Sequence, residues 1–305
     1  MTNKHLWGVD FGGTKMEGLV LDIETNTISA RPRVPTEGHL GYEHVLGQIK
    51  KLIDLLKVQT DDSPTAIGFS MPGTIDPTTQ TVKNSNIICL NGKPLQSDLE
   101  NLLGVPVKMA NDANCFALAE ATMGVVPSVM PTAKVVFGAI LGTGVGGGVV
   151  LNGKVWNGRH GIGGEWGHNV LDPNGAACYC GKNGCNEQVF SGPALEIYYS
   201  KLSGIHRPMA EIYRRHQTQT DAHATATIQF LVASFAKAIY HIINVLDPDC
   251  IVLGGGLSNI DELYTDGVEE IKKYIFNSGK VETLILRPQL GDSAGVFGAV
   301  ELVRE

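Results

Sequence analysis

The fold is decided by a glycine-centred motif near the start of the chain, Gly8-Val-Asp-Phe-Gly-Gly-Thr-Lys-Met-Glu-Gly-Leu-Val-Leu21. Apolar stretches on both sides of its turn predict the two strands of a β-hairpin. A second stretch aligns with it at a constant offset of 130 residues, Gly138-Ala-Ile-Leu-Gly-Thr-Gly-Val-Gly-Gly-Gly-Val-Val-Leu151. Chance agreement between glycine-rich segments is the alternative to a true repeat. The repeat predicts a duplicated domain whose two glycine turns face one ligand between the halves.

Strands and helices alternate along the rest of the chain. Helical spacing of apolar residues predicts helices over residues 42–56, 95–103, 112–123, 225–246, about 260–276 and 294–303. Short apolar runs predict strands over residues 66–71, 105–109 and 250–253. The uncharged run from Val135 to Leu151 contains six glycines, so we interpret it as two buried strands around a loop rather than a membrane span. The sequence therefore predicts an α/β fold.

Composition narrows the class of protein. The chain has 305 residues, 43% of them hydrophobic and 18% charged, which is enough apolar material for a sizeable core. The formal net charge is −7 and no long basic run is present, so we expect no nucleic-acid partner. The first ten residues lack the apolar run of a signal peptide, and we expect a cytoplasmic protein with no membrane association.

A cluster of metal-ligand residue types lies in the glycine-rich middle of the chain. Its spacing is H-x9-C-x-C-x4-C, formed by His168, Cys178, Cys180 and Cys185. Three thiolates and one imidazole suit tetrahedral Zn²⁺, and four protein ligands leave no open position, so we predict a structural zinc. The alternatives are unligated thiols or a disulfide, which a reducing cytoplasm disfavours.

The two glycine turns are candidates for binding phosphate. Glycine lets a chain approach a ligand closely, and bared backbone N–H groups hold phosphate oxygens. The residues concerned are Gly12, Gly13, Thr14 and Lys15 in the first turn and Gly142, Thr143 and Gly144 in the second. Asp10 stands where a carboxylate can orient Mg²⁺ through water. Tight hairpins without a ligand are the alternative. The string Gly142-x-Gly144-x-x-Gly147 matches the dinucleotide fingerprint, but a strand follows it instead of the required helix.

Three carboxylates are candidates for contact with a substrate. Asp112 follows a predicted strand and opens a predicted helix, so it is either the helix N-cap or a group that faces a ligand at the strand end. The spacing of these residues alone favours neither interpretation over the other. Glu165 and Glu187 flank the predicted zinc ligands, where a metal-anchored loop would present them to vicinal sugar hydroxyls. Ordinary surface carboxylates are the alternative.

At these residues the whole chain resembles the ROK family of sugar kinases and repressors. The matching motifs are Asp10-x-Gly-Gly-Thr-Lys15, Asn111-Asp-Ala-Asn114, Leu141-Gly-Thr-Gly-x-Gly-Gly147, Glu165-x-Gly-His168, Cys178-x-Cys-Gly-x-x-Gly-Cys-x-Glu187 and Gly254-Gly-Gly256. Within the family the chain most resembles bacterial fructokinases of the mannokinase type, through Val82-Lys-Asn-Ser-Asn86, Leu90-Asn-Gly-Lys-Pro94, Gly164-Glu-Trp-Gly-His-Asn169 and Cys178-Tyr-Cys-Gly-Lys182. N-acetylglucosamine kinases come second, since they more often have Phe where this chain has Trp166.

The resemblance implies an actin-like fold of two ribonuclease-H-like domains with an inserted zinc loop. The expected domains are residues 1–114 plus 292–305, and residues 115–291 with a zinc loop at 168–187. The implied activity is ATP- and Mg²⁺-dependent phosphorylation of a hexose, fructose or mannose, at its 6-hydroxyl, with Asp112 as general base. N-acetylglucosamine and glucose are the alternative substrates, and family habit favours a homodimer.

The resemblance also assigns the binding residues. The sugar would be held by Gly73, Asn111, Asp112, Glu165, His168 and Glu187. The Gly254-Gly255-Gly256 loop would flank the adenosine. A ROK repressor carries a helix-turn-helix module before the first glycine turn, and only nine residues precede Asp10, so we expect a kinase. A sugar-binding protein without catalysis is disfavoured because Asp112 and both turns are intact.

Overall fold

The computed structural model describes residues 4–304, and the chain divides into two compact units. Unit 1 comprises the chain up to Pro127, Gly148–Gly163 and the chain from Leu290. Unit 2 comprises Ser128–Gly147 and Gly164–Gln289.

Thirteen strands and ten α-helices lie within the described residues. The strands are β1 (His5–Phe11), β2 (Lys15–Asp22), β3 (Thr27–Ala30), β4 (Arg33–Pro35), β5 (Ile67–Met71), β6 (Thr74–Ile75), β7 (Val82–Lys83), β8 (Val107–Asn111), β9 (Val135–Leu141), β10 (Val145–Leu151), β11 (Lys154–Val155), β12 (Cys250–Gly254) and β13 (Leu284–Leu286). The helices are α1 (Tyr42–Thr60), α2 (Leu95–Leu103), α3 (Asp112–Thr122), α4 (Val125–Val129), α5 (Asn186–Phe190), α6 (Gly192–Ser203), α7 (Met209–Gln217), α8 (Ala222–Leu246), α9 (Asp266–Ile271) and α10 (Ala294–Glu301). Short 3₁₀ helices span Gly38–Leu40, Ile88–Leu90, Trp166–His168, Gly256–Asn259, Asp261–Leu263 and Gly291–Ser293.

Unit 1 is built on a sheet with the strand order β3-β2-β1-β5-β8, and β4 pairs with β2. The hairpin strand β2 is antiparallel to β1, whereas β5 and β8 continue the sheet parallel to β1. The carboxyl ends of β1, β5 and β8 therefore share one edge. Helix α10 lies so close to this sheet that a Cβ at Gly68 would come within 1.7 Å of the Ala299 carbonyl oxygen, and only glycine allows this approach.

The second sheet repeats this topology, with the order β11-β10-β9-β12-β13. In this order the hairpin strand β10 stands beside β9 on one side. On the other side β12 and then β13 continue the sheet, parallel to β9. The internal repeat predicted from the glycine motifs is thus confirmed, and Val135–Leu151 forms strands β9 and β10 as predicted. Strand β10 begins in unit 2 and ends in unit 1.

Helix α8 forms much of the core of unit 2. Asp221 caps it by accepting hydrogen bonds from the backbone N–H groups of His223 and Ala224. Its buried residues include Ile228, Leu231, Phe235 and Ile239. By length and composition α8 passes the test for a membrane span, but more than half of its apolar window is buried, as in the core helix of a globular domain.

The largest difference between a predicted element and the structure lies after β12. The expected helix over residues 260–276 is replaced by the 3₁₀ turn Asp261–Leu263 and the short α9. The Tyr264 hydroxyl donates to the Ser258 carbonyl, and the Arg287 guanidinium lies 4.1 Å from the centre of its ring. These tertiary contacts hold the chain in a turn that local spacing does not reveal.

The predicted domain boundary after residue 114 falls inside helix α3. This helix packs against α10, and both belong to unit 1, as do residues 148–163. The division into domains at 1–114 plus 292–305 and 115–291 therefore stays a prediction that differs in its borders from the two compact units.

Candidate active site

The first glycine turn lies at the carboxyl end of β1. The Gly12 N–H donates to the Lys15 carbonyl at 3.1 Å, and Thr36 fixes the turn by donating its hydroxyl to the Gly12 carbonyl at 2.6 Å. Gly13, Thr14 and Lys15 are exposed. The turn is thus held from behind while its tip is open to a ligand, which suits the predicted phosphate contact.

Asp10 lies beside this turn and is partly buried. Its Oδ1 accepts a hydrogen bond from the Ser70 hydroxyl at 2.8 Å. Burial raises the pKa of Asp10, and the Ser70 bond opposes part of that rise. The cross-strand partner of Asp10 is a second carboxylate, Glu17, which forms ion pairs with Arg31 and Arg33. The two arginines offset the repulsion that two carboxylates on one sheet face would otherwise produce.

Asn111 and Asp112 follow β8 at the same edge of the sheet. Asn111 is the N-cap of α3, since its Oδ1 accepts from the Ala113 N–H at 2.9 Å. Its amide also donates to the Gly73 carbonyl at 3.1 Å, which joins the β5 and β8 ends. The interpretation of Asp112 as the cap is therefore wrong: Asp112 is the first helical residue, although its Oδ1 accepts from Ala113 N–H as well. Asp10, Gly73, Asn111 and Asp112 all lie at this edge of unit 1.

The second glycine turn is joined to a predicted sugar-binding carboxylate of unit 2. Glu187 Oε2 accepts from the Val145 N–H at 3.2 Å. A Cβ at Gly144 would lie 2.5 Å from that same oxygen, so a larger residue here would displace the Glu187 carboxylate. Thr143 at the tip of the turn is exposed. Gly255, in the loop predicted to flank the adenosine, packs against the backbone of Leu141 beside the same turn.

The four predicted metal ligands come together in unit 2. Their donor atoms all lie within 4.8 Å of one another, with 3.5 Å between Cys178 Sγ and His168 Nδ1 and 3.5 Å between Cys180 Sγ and Cys185 Sγ. Ligands bound tetrahedrally at about 2.3 Å would stand about 3.8 Å apart. Burial raises the pKa of Cys185 to about 12, so a cation is needed to hold that thiol as a thiolate. The donor set and spacing fit a closed metal site.

Two aromatic residues of this region were not identified as functional from the sequence. Trp166 is buried, donates its indole N–H to the Gly146 carbonyl at 2.7 Å and packs edge-on against Phe137. It therefore supports the Glu165–His168 segment from within the core. Tyr179 is 80% exposed, and its hydroxyl lies 2.9 Å from His168 Nε2. The cysteine spacing predicts the metal ligands and gives no signal for the tyrosine between them.

The environment of Tyr179 is acidic. Partial desolvation within the loop, followed by the Glu187 and Glu165 carboxylates, raises the pKa of Tyr179 to about 12 despite its exposure. The phenol therefore carries its proton at neutral pH. Glu165, Glu187 and His168, all predicted to bind sugar, thus lie within electrostatic or hydrogen-bonding reach of Tyr179.

The duplicated sheets with a glycine turn in each copy, together with the match to known structures, define the actin-like, two-domain fold of sugar kinases. The model of the ROK family matches residues 6–305, and the chain belongs to this family. It is an ATP-dependent sugar kinase.

Three relatives illustrate the likeness. The N-acetyl-D-glucosamine kinase of Vibrio parahaemolyticus serotype O3:K6 (strain RIMD 2210633) is 34% identical over 97% of this chain and 98% of the relative. The ROK hexokinase from Thermus thermophilus is 29% identical with a TM-score of 0.85, over 98% of this chain and 97% of the other. The ROK family glucokinase from Streptomyces griseus, in complex with glucose and AMPPNP, is 28% identical with a TM-score of 0.76, over 98% of both chains.

Proposed function

We propose that this kinase transfers the γ-phosphoryl group of ATP to the 6-hydroxyl of a hexose, with Asp112 as the general base. The observation that carries the proposal is the placement of Asp112 at the carboxyl end of β8, next to an N-cap that Asn111 supplies. A carboxylate at a parallel strand end is positioned for a ligand. Within hydrogen-bond reach of a sugar hydroxyl, Asp112 would accept its proton as the phosphoryl group is transferred.

The two glycine turns are proposed to hold the phosphates of ATP. Backbone N–H groups of Gly12–Lys15 and Gly142–Gly144 would contact phosphate oxygens, and the Lys15 ammonium would add positive charge. Asp10, held by Ser70, would orient the water ligands of Mg²⁺, which neutralises charge on the transferring phosphoryl group. The Gly254–Gly256 loop would lie beside the adenosine.

The sugar would be bound by the polar groups that the family resemblance assigns, namely Gly73, Asn111, Asp112, Glu165, His168 and Glu187. Glu187 supports this role because one of its oxygens is fixed on the second turn by the Val145 N–H. A carboxylate held in this way can accept a hydrogen bond from a sugar hydroxyl at little cost in side-chain entropy.

The cluster of His168, Cys178, Cys180 and Cys185 is proposed to bind structural Zn²⁺. All four ligands would come from the protein, so the metal would order the loop that carries Glu187 and would supply no chemistry to phosphoryl transfer. A homodimer and a cytoplasmic location stay predictions.

Two sugar classes are candidates. Fructose or mannose is favoured by the fructokinase-like motifs, including Cys178–Lys182. N-acetylglucosamine is favoured by the names of relatives that are 34–35% identical over 97% of the chain. The Trp166 difference between the two classes does not separate them by direct contact, since Trp166 is buried against Phe137.

A coupled ADP-release assay over fructose, mannose, glucose and N-acetylglucosamine tests the proposal. We expect ATP-dependent turnover with at least one of the four, and the ratio of kcat/KM values identifies the preferred sugar. ADP release that none of the four sugars stimulates would contradict the proposed function. ADP release with phosphate found at a hydroxyl other than O6 would contradict the assigned acceptor.

A further inference from the structure

The loop that follows β12 is held by hydrogen bonds from within and from outside. At its start, a Cβ at Gly255 would lie 2.4 Å from the Leu141 carbonyl oxygen, so the backbone here lies close to the second glycine turn. The 3₁₀ turn Gly256–Asn259 comes next, and the Ser258 hydroxyl donates to the Gly255 carbonyl at 2.7 Å. The Ser258 carbonyl accepts in turn from the Tyr264 hydroxyl at 2.8 Å. Ser258 therefore links the glycine loop to the segment that follows it.

Arg287 makes three contacts with that segment. It follows strand β13, which runs parallel to β12, so it lies at the same edge of the sheet as the glycine loop. Its guanidinium lies 4.1 Å from the centre of the Tyr264 ring. Its Nη2 donates to Asp261 Oδ1 at 2.5 Å, and its Nη1 donates to the Ser258 carbonyl at 3.5 Å. One planar side chain thus ties residues 258–264 to the end of β13.

Helix α7 holds the same segment from another direction. The Tyr213 hydroxyl accepts from the Asp261 N–H at 3.0 Å, and His216 Nε2 lies 2.8 Å from Glu262 Oε1. These contacts reach residues 261 and 262, whereas the Ser258 carbonyl is contacted by Tyr264 and Arg287. The direct support of the glycine loop therefore comes from the stacked pair of Arg287 and Tyr264.

We propose that Arg287 is a positioning residue for the nucleotide, which holds the Gly254–Gly256 loop, through Tyr264 and the Ser258 carbonyl, in the arrangement that binds the adenosine of ATP. The inference rests on the proposed function, which places this loop beside the adenosine. When fewer molecules hold a loop in its binding arrangement, the apparent affinity for the ligand falls by the same factor. Arg287 should therefore affect the binding of ATP and leave the transfer step and sugar binding unchanged.

The test replaces Arg287 by methionine, which has a similar reach but no charge and no N–H donor. The loss of an exposed ion pair and a cation–π contact corresponds to about a 3- to 10-fold rise in KM for ATP. Because 49% of the Arg287 side chain is exposed, the change leaves no buried cavity. KM for ATP, KM for the sugar and kcat are measured by coupled ADP release with the sugar that the wild-type protein phosphorylates best. We expect kcat and the sugar KM to equal those of the wild type.

Two other variants complete the design. Tyr264→Phe keeps the ring beside Arg287 and removes only the hydroxyl that donates to Ser258, so KM for ATP should rise by about threefold or more. The matched control is Arg214→Met, because Arg214 is also an exposed arginine of unit 2 paired with a carboxylate, that of Glu211 on α7. Its KM for ATP should equal that of the wild type.

The outcomes separate positioning from a general structural role. A KM for ATP within twofold of the wild type in Arg287→Met overturns this inference and leaves the proposed function intact. A fall in kcat with an unchanged KM for ATP also overturns it, because a loss of folded protein has that effect. Should Arg287→Met fail to fold, Tyr264→Phe decides by the same criteria. A wild-type protein that phosphorylates none of the four sugars overturns the proposed function and this inference together.

Discussion

Replacing Asp112 by asparagine separates a catalytic role from a structural one. Both Asn111 Oδ1 and Asp112 Oδ1 accept from the Ala113 N–H, at 2.9 and 2.8 Å. In Asp112→Asn the cap on Asn111 remains, and the new amide oxygen still provides an acceptor. The loss is one negative charge in the first turn of α3, which contributes about 0.3–1 kcal/mol through the helix dipole. We therefore expect the free energy of unfolding to fall by no more than about 1 kcal/mol.

The effect on catalysis should be much larger. An amide cannot accept the proton of the sugar hydroxyl, and a positioned general base contributes about 10²- to 10⁴-fold to the rate. That range corresponds to about 3–5 kcal/mol of transition-state stabilisation. The sugar Kd should change by less than about tenfold, since at most one hydrogen bond is altered. The variant is thus expected to bind sugar and to lose most of its turnover.

The measurements are coupled ADP release for kcat, calorimetry for sugar affinity and urea unfolding for stability. Glu43→Gln is the matched control, because Glu43 is also an acidic residue in the first turn of a helix of unit 1, α1. It should lose a similar amount of stability and keep the wild-type kcat. Near-normal turnover of Asp112→Asn would refute the base assignment. A loss of several kcal/mol in stability would refute the argument that Asn111 alone can cap the helix.

Three further changes test other parts of the structure. Burial raises the pKa of Asp10 above its ordinary 3.8. The free energy of unfolding therefore falls as the pH rises above 3.8 and Asp10 ionises. Asp10→Asn should therefore be more stable than the wild type at pH 7, an advantage that disappears below about pH 4 in urea unfolding; an equal difference at both pH values would contradict this. Gly68→Ala should lower the free energy of unfolding by at least about 1–3 kcal/mol because its Cβ would lie 1.7 Å from the Ala299 oxygen, whereas Gly47→Ala, where nothing lies within 4 Å, should not destabilise. Cys180→Ser should reduce bound zinc from about one per chain to nearly none and weaken sugar binding, while Cys89→Ser keeps both; zinc retained in Cys180→Ser would contradict the four-ligand site.

The sequence predicted most of the framework because those features are encoded locally. The glycine repeat depends on a few residues in each turn, and both sheets have the strand order that a duplication requires. Helix α2 was predicted with its exact ends, since apolar spacing and the terminal Gly104 define it without help from the rest of the chain. The cysteine spacing predicted a cluster whose donor atoms do converge.

Other features could not be predicted because they depend on distant side chains. The turn around Tyr264 is held by Arg287, twenty-three residues away, so local spacing wrongly favoured a long helix there. Strand β13 has only three residues, and it exists because β12 offers a parallel partner. Nothing in the local sequence around Asp10 indicates that Ser70 holds its carboxylate.

The sequence by itself determined the family, the duplicated fold and the residue types available for phosphate, sugar and metal, since each is a pattern of neighbours along the chain. The tertiary structure decided how those residues share their hydrogen bonds. Asn111 caps α3 in place of Asp112, Glu187 is bound to the second glycine turn, and Tyr179 faces His168. The physical reason is that each donor and acceptor has a limited number of partners, and only packing determines which ones come within about 3 Å.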